Sequence, residues 1–133
     1  MAIDLFNEFA TDTAAEEKGV WCPYAEGVEF LIARSTNKHY QRALTKAYEK
    51  NKRVLDGKGD ASENMSEEIM IGVTARTILL GWKGVVWKGE ELEYSLENAQ
   101  MLLAVRDFRR WVMARAEDVD SYKVAKDEED EVK

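Results

Sequence analysis

The order of apolar and polar positions along the chain predicts several helices separated by two β-prone regions. Apolar residues between Ile3 and Phe9 recur at helical spacing among polar ones, which predicts a first helix over Asp4–Glu17. Lys18 and Gly19 follow it in the order typical of a helix C-terminus, a cation and then a glycine.

The next region predicts a β-hairpin over about residues 20–33. Val20–Tyr24 and Val28–Ala33 are β-prone, and Ala25–Gly27 between them is suited to a turn. Pro23 has no N–H to donate to a ladder, so the first strand is expected at an edge. A two-stranded hairpin is marginal alone and must pack on helices or pair with another chain.

A long amphipathic helix is predicted from the capping cluster Ser35–Asn37 to about Leu55. One side of it carries apolar residues at helical spacing, and the opposite side is basic. The basic residues are Lys38, Arg42, Lys46, Lys50 and Arg53.

A loop is predicted over Asp56–Asn64, followed by a central, buried helix. Ser66 is the expected N-cap, and the helix is expected to run to about Gly81 with apolar residues around most of its circumference. Arg76 falls within its main apolar stripe, where a charge needs a carboxylate partner or an exit to water, and we expect it to be paired with an acidic side chain.

The segment from Leu80 to Leu103 joins this helix to the next one. Its first part predicts a second short hairpin near residues 85–94, with a Lys–Gly turn, and Ser95 is expected to cap a helix that starts at about Leu96. We expect the aromatic rings here to lock the joint onto the core; a ligand pocket is the weaker alternative. The predicted structural junction consists of Trp82, Gly89, Tyr94, Ser95 and, from the last helix, Trp111.

The C-terminal part predicts a helix break near Ala104–Arg106, another helix, and an acidic tail. Apolar residues thin out after Asp118, so residues 119–133 are expected to be disordered. The predicted fold class is therefore mainly α: one small helical domain over residues 1–118, with a short N-terminal hairpin and the second short hairpin.

Charge is unevenly distributed along the 133 residues, whose net charge is −7. Residues 34–58 hold eight basic and two acidic residues, a local charge of +6, so the remainder carries −13. A positive middle and negative ends favour electrostatic contact with a partner or with another copy. The chain has no recognisable nucleic-acid module and a pI near 4.9, so nucleic-acid binding is not expected.

Chemical motifs are absent from the sequence. Cys22 has no cysteine or histidine cluster around it and is expected to be structural, and His39 has no second metal ligand nearby. No phosphate loop or nucleophile motif appears, so we expect neither an enzyme nor a cofactor. Neither a signal peptide nor a membrane span is indicated. The candidate interaction surface comprises Arg42, Lys46, Lys50, Arg53 and Trp87.

Three segments resemble the tail assembly chaperones of long-tailed, siphovirus-type bacteriophages. Two of them are Gly19–Asn37, which contains GVW and GVEFLIARSTN, and Arg106–Val112, which reads RDFRRWV. The third is the joint, the segment Leu80–Leu103 that connects the two predicted helices. The resemblance as a whole covers about residues 3–120. The matching residues in the joint are Gly81, Trp82, Gly89, Tyr94, Ser95, Glu97, Asn98, Ala99, Leu102 and Leu103.

This resemblance implies a role in viral morphogenesis. Such a chaperone coats the tape-measure protein in the host cytoplasm, recruits tail-tube protein, and is absent from the mature virion. We also expect a weak homo-oligomer, which could be an open spiral, because many weak contacts on one scaffold gain avidity and are easily displaced. The alternative is a virion structural protein of the head-to-tail joining region.

Overall fold

The computed structural model describes residues 2–124. The helices are α1 Leu5–Phe9, α2 Thr13–Lys18, α3 Lys38–Lys50, α4 Lys52–Asp56, α5 Asp60–Thr77, α6 Leu96–Leu103 and α7 Arg106–Glu117, and a 3₁₀ helix, η1, spans Val119–Tyr122. The strands are β1 Val20–Ala25, β2 Val28–Ile32, β3 Leu79–Lys83, β4 Val86–Trp87 and β5 Glu90–Glu91. None of the helices within residues 2–124 is long and apolar enough to cross a membrane.

The predicted fold class is wrong, because the chain forms a mixed α/β domain rather than a mainly α one. The strands of the predicted N-terminal hairpin form, but they are two strands of a three-stranded antiparallel sheet of order β1-β2-β3. The third strand comes from the end of the predicted central helix, with Phe30 opposite Trp82 and Leu31 opposite Gly81.

The central helix ends at Thr77, earlier than the predicted Gly81, because the following residues pair with β2. Leucine is compatible with either structure, so the choice depends on tertiary contacts, and the pairing satisfies backbone groups that a two-stranded hairpin would leave open. Gly81 weakens the helical alternative and lies beneath the side chains of Leu31 and Trp21.

The core lies where the sheet meets α5, α6 and α7. Its fully buried members include Ile32 and Leu79 from the sheet and one residue from each of the three helices, Val73, Leu103 and Val112. Helices α3 and α4 pack against α5, which also contacts α6 and β3. α5 is therefore the central helix that the sequence predicted.

The N-terminal helix predicted over Asp4–Glu17 is broken into two. Asp12 accepts hydrogen bonds from the backbone N–H groups of Ala14 and Ala15 and so caps α2 as a new helix. The residues before it pair with the C-terminal segment: Asp12 N–H donates to the Tyr122 carbonyl, and Val124 N–H donates to the Ala10 carbonyl. α1 has no buried residue.

The boundaries of the middle helices also differ from prediction. The predicted helix over residues 38–55 breaks at Asn51, whose side-chain amide donates to the Ala47 carbonyl at 2.8 Å. Helix α5 begins at Asp60, so the predicted loop over residues 56–64 is reduced to residues 57–59. Ser66 lies inside the helix rather than at its N-cap. As predicted, Asn37 caps α3 by accepting from Tyr40 N–H at 3.0 Å.

Arg76 is exposed, and the predicted ion pair with an acidic side chain is wrong. It lines an open groove between α3 and α5. The long aliphatic stem lets the guanidinium reach solvent. No ion pair involves Arg76 among the described residues.

The predicted joint forms as a packed structure. β4 and β5 make a hairpin whose turn residues Lys88 and Gly89 have φ of 51° and 89°, the conformation favoured by two-residue hairpin loops. The Trp82 indole N–H donates to the Leu92 carbonyl at 2.7 Å, and the Tyr94 hydroxyl donates to the Leu79 carbonyl at 3.1 Å.

The helices after the joint also match the prediction. Ser95 caps α6 by accepting from Asn98 N–H at 3.0 Å, and the predicted break falls between α6 and α7 at Ala104–Val105.

The segment predicted as a tail from residue 119 begins with packed residues. η1 brings Tyr122 into the core, where it is fully buried and its hydroxyl donates to the Ile32 carbonyl at 2.8 Å. Thr11 and Lys123 form an isolated antiparallel bridge. Residues 125–133, the rest of the predicted tail, lie outside the described residues.

Candidate functional site: an aromatic groove and a basic groove

The first candidate site is a groove of about 540 Å³ between the end of the β1–β2 hairpin and α7. We call it the aromatic groove. It is lined by Tyr24, Ala25, Val28, Phe30, Gly84, Val85, Val86, Asp107, Phe108 and Trp111.

Four aromatic rings build its wall at distances typical of stable ring contacts. Tyr24 meets Trp111 edge-on with ring centroids 5.3 Å apart, and Phe30 lies 5.1 Å from Phe108 and 5.5 Å from Trp111. Phe108 and Trp111 stack at 6.3 Å, as expected for residues three apart on one face of α7. The Arg115 guanidinium lies 5.4 Å from the centre of the Trp111 ring, and this contact holds the indole in place.

A glycine fixes the approach of the chain at one end of this groove. Gly84 has φ of +77°, and a β-carbon there would stand 2.0 Å from the Gly27 carbonyl oxygen. The hairpin turn and the segment after β3 can therefore meet only because residue 84 lacks a side chain. This contact brings Val85 and Val86 beside Tyr24 and Val28.

The aromatic groove suits an apolar partner. Tyr24 and Val86 are 63% and 60% exposed, so the rim is accessible, while Phe30 forms a buried base. Of the described residues that line it, Asp107 alone is charged. Such a surface can bury large apolar side chains but offers little to a charged ligand.

The second candidate site is a groove of about 610 Å³ between α3 and α5, which we call the basic groove. Among residues 2–124, four basic side chains and the acid Glu68 line it, which gives a local charge of +3. Its floor is apolar, with Ala43, Ala47, Met65, Ile69 and Val73. The basic residues are Arg42, Lys46, Lys50 and Arg76.

The structure separates the residues of the predicted interaction surface. Arg42, Lys46 and Lys50 line the basic groove together, whereas Arg53 lies outside it on α4. Trp87 is half-buried in β4 and packs against the core, so it belongs to neither groove. The sequence placed basic residues on one helix face; it could not show that α5 supplies an apolar floor beside them.

The predicted junction residues serve the joint, with one exception. Trp82, Tyr94, Ser95 and Gly89 hold the packed connection described above, and burial raises the pKa of the Tyr94 phenol. Trp111 instead lies between the core and the aromatic groove.

The two residue types with the most reactive side chains, cysteine and histidine, lie apart from both grooves in the described part of the chain. Within residues 2–124 no cluster of histidine, cysteine and carboxylate side chains could hold a metal ion. Cys22 is buried, which raises the pKa of its thiol, and its Sγ lies 3.6 Å from the Val20 carbonyl oxygen. His39 is exposed, with Nε2 3.5 Å from a Glu17 carboxylate oxygen.

The aromatic groove was not predicted from the sequence. Its only sequence signal is the pair Phe108 and Trp111, which share one face of a helix. The turn after Pro23 gave no indication that Tyr24 would face this pair, because the packing of a hairpin on a helix is decided by non-local contacts.

Comparison with known proteins gives one family. Residues 35–133 match the model of a family described as YdaY prophage protein, whereas no curated protein and no solved structure matches the chain. The matched region contains the whole basic groove and the α7 side of the aromatic groove, but not Tyr24, Val28 or Phe30. Since the match covers well over half of the chain, this phage-derived protein belongs to the YdaY prophage protein family.

Proposed function

We propose that this protein is a phage tail assembly chaperone, which coats the tape-measure protein, recruits tail-tube protein and leaves before the virion is complete. It works without catalysis and acts in the host cytoplasm. The phage origin is given by the family; the chaperone role is the proposal.

One observation carries this proposal: two of the three segments that resemble tail assembly chaperones meet in the aromatic groove, and the joint that contains the third also contributes to its lining. Val28 and Phe30 come from the hairpin segment, Phe108 and Trp111 come from the RDFRRWV segment, and the joint contributes Val85, two residues after the end of β3. Segments that are distant in sequence thus share one accessible apolar surface.

This surface has the properties needed to hold a helical client. A long scaffold helix presents apolar side chains at regular spacing, and a groove of this volume accepts one or two large ones. Each contact is weak, so the coat depends on many copies bound along the same scaffold. Tube subunits can then displace the copies one at a time.

Co-expression with the tape-measure protein of the same prophage tests the proposal. The protein should co-purify with it, and Tyr24→Ser combined with Val86→Ser should weaken binding roughly ten- to a hundredfold, because two exposed apolar contacts are lost. Both side chains are more than half exposed, so the melting temperature should hardly change.

Tyr48→Ser is the matched control, since Tyr48 is a 37% exposed aromatic residue on α3 outside the aromatic groove. Equal binding by the groove variant and this control would refute the assignment of the site. Failure of the parent protein to co-purify would refute the chaperone role. Mass spectrometry that finds the protein in purified particles would favour the virion joining protein instead.

A further inference from the structure

Helix α1 is an apolar and acidic element that the rest of the described chain leaves uncovered. Ile3, Leu5, Phe6 and Phe9 are between 60% and 69% exposed. Leu5, Phe6 and Phe9 fall within about 100° of the helix circumference, and Asp4 and Glu8 lie together at its border. Four large exposed apolar residues in a seven-residue stretch form a patch rather than scattered surface positions.

The attachment of α1 holds this patch away from the core. Residues 10–12 pair with Tyr122, Lys123 and Val124, so the chain leaves the domain at Ala10 and α1 extends beyond that point. The basic groove lies between α3 and α5, and its lining includes no residue of α1. The described residues thus place an exposed apolar, acidic helix and an open apolar, basic groove on separate parts of the molecule.

We infer that α1 of one copy docks into the basic groove of the next copy, so that the protein associates head to tail. Leu5, Phe6 and Phe9 cover the floor formed by Met65, Ile69 and the alanines of α3. Asp4 and Glu8 face Lys46 and Lys50. The contact is independent of whatever the aromatic groove binds.

The dimensions of the two elements agree. Arg42 and Lys50 are eight residues apart on α3, about 12 Å along the helix axis, and Leu5–Phe9 occupies about 6 Å. Asp4 and Glu8 are four residues apart, as are Lys46 and Lys50, so each pair of charges is separated by about 6 Å along its helix. The −2 charge of α1 with its cap is opposite in sign to the +3 charge of the groove.

The contact must be weak. A phenylalanine side chain offers about 150–250 Å² in full, so the two exposed rings contribute roughly 200–300 Å² between them. Even with Ile3 and Leu5 the interface stays near the lower end of specific interfaces, which is typical of transient association. Because the two surfaces differ, each copy can bind one neighbour at each end, and the assembly can grow into an open chain.

Sedimentation of two complementary variants tests the inference. The first, Phe6→Ser with Phe9→Ser, lacks the apolar face of α1; the second, Lys46→Glu with Lys50→Glu, reverses two charges of the groove. All four side chains are exposed, and unchanged circular dichroism and melting temperature confirm that both variants fold.

The parent protein should form species larger than dimers as its concentration rises, whereas each variant alone should show a Kd for self-association at least about tenfold weaker. An equimolar mixture should form one-to-one heterodimers and nothing larger, since only the intact α1 of the second variant can enter the intact groove of the first. Raising the salt concentration should weaken assembly of the parent, because exposed charges are screened over about 8 Å at physiological ionic strength.

Three results would overturn the inference. They are a parent protein that stays monomeric at every concentration, variants that assemble like the parent, and a mixture that stays monomeric. Lys52→Glu with Arg53→Glu is the control for a change in net charge alone, since both residues are exposed on α4 outside the groove. If this control weakened assembly as much as the groove variant, long-range charge rather than docking would explain the effect. A parent protein that does not assemble but binds the tape-measure protein would refute this inference and leave the chaperone proposal standing. A parent protein that assembles as described but does not bind the tape-measure protein would refute the chaperone role and leave the docking of α1 standing.

Discussion

Replacement of Trp82 by alanine should be among the most destabilising single substitutions in this protein. The side chain is 8% exposed, and its ring lies 5.1 Å from Tyr94 and 6.3 Å from Phe30 in edge-on contacts. Removing a buried tryptophan costs about 3–5 kcal/mol, through lost apolar burial and the cavity that remains. In a domain of this size that lowers the melting temperature by roughly 10–20 °C.

Trp82→Phe separates the packing contribution from the hydrogen bond. Phenylalanine keeps an aromatic ring against Phe30 and Tyr94 but has no donor for the Leu92 carbonyl, which the indole N–H now reaches at 2.7 Å. Leaving that acceptor unsatisfied should cost about 1–3 kcal/mol. The intermediate stability of Trp82→Phe is thus the specific expectation.

Trp21→Ala is the matched control. Trp21 is 41% exposed, and the Lys83 ammonium lies 4.2 Å from its ring centre, so roughly 1–2 kcal/mol should be lost. Urea unfolding followed by far-ultraviolet circular dichroism measures all three variants on one scale. A Trp82→Ala protein that melts within about 2 °C of the parent, or no more than Trp21→Ala does, would refute the packed joint.

Two further predictions concern backbone geometry and pH. Gly84→Ala should lower the free energy of unfolding by roughly 2–4 kcal/mol, because residue 84 has a φ of +77° and the new β-carbon would meet the Gly27 carbonyl. Gly89→Ala is the control: its φ is +89° but the space around it is open, so the loss should be only about 1 kcal/mol. Equal melting temperatures for the two variants would contradict the contact between Gly84 and Gly27. Burial raises the pKa of Tyr122 above the value near 10 of an unfolded tyrosine. The stabilisation that Tyr122 contributes is therefore fully present below pH 10. It falls as the pH rises further, because the unfolded chain then releases a proton that the folded chain retains. Tyr122→Phe should lower the free energy of unfolding by about 1–3 kcal/mol at pH 8, because the Ile32 carbonyl loses its hydrogen-bond donor. Between pH 9 and 11 the free energy of urea unfolding should decline less steeply for this variant than for the parent. A pH profile equal to that of the parent would contradict the role of the buried phenol.

The local elements of this protein could largely be predicted from its sequence. The Asn37 and Ser95 caps, the Lys88–Gly89 turn and the break before α7 all depend on residues within a few positions of each other, so their signals are present in short stretches of chain. The basic face of α3 was readable for the same reason, since a helical period places Arg42, Lys46 and Lys50 on one side.

The errors arose where a distant part of the chain decided the structure. Leu79–Lys83 continues an apolar run that fits a helix, and it becomes a strand because β2 offers an unpaired edge. Tyr122 follows an acidic, polar stretch that resembles a tail, and it is buried because its hydroxyl reaches Ile32, ninety residues earlier in the chain. Local propensity could reveal neither partner.

Both grooves also belong to the tertiary structure. From the sequence alone, a phage origin and a basic helix face could be predicted. Only packing brought Tyr24 to Trp111, placed the apolar floor of α5 beside Lys46, and left α1 without a covering surface. A groove is the space between elements, and its shape depends on how those elements cross, which no single stretch of sequence specifies.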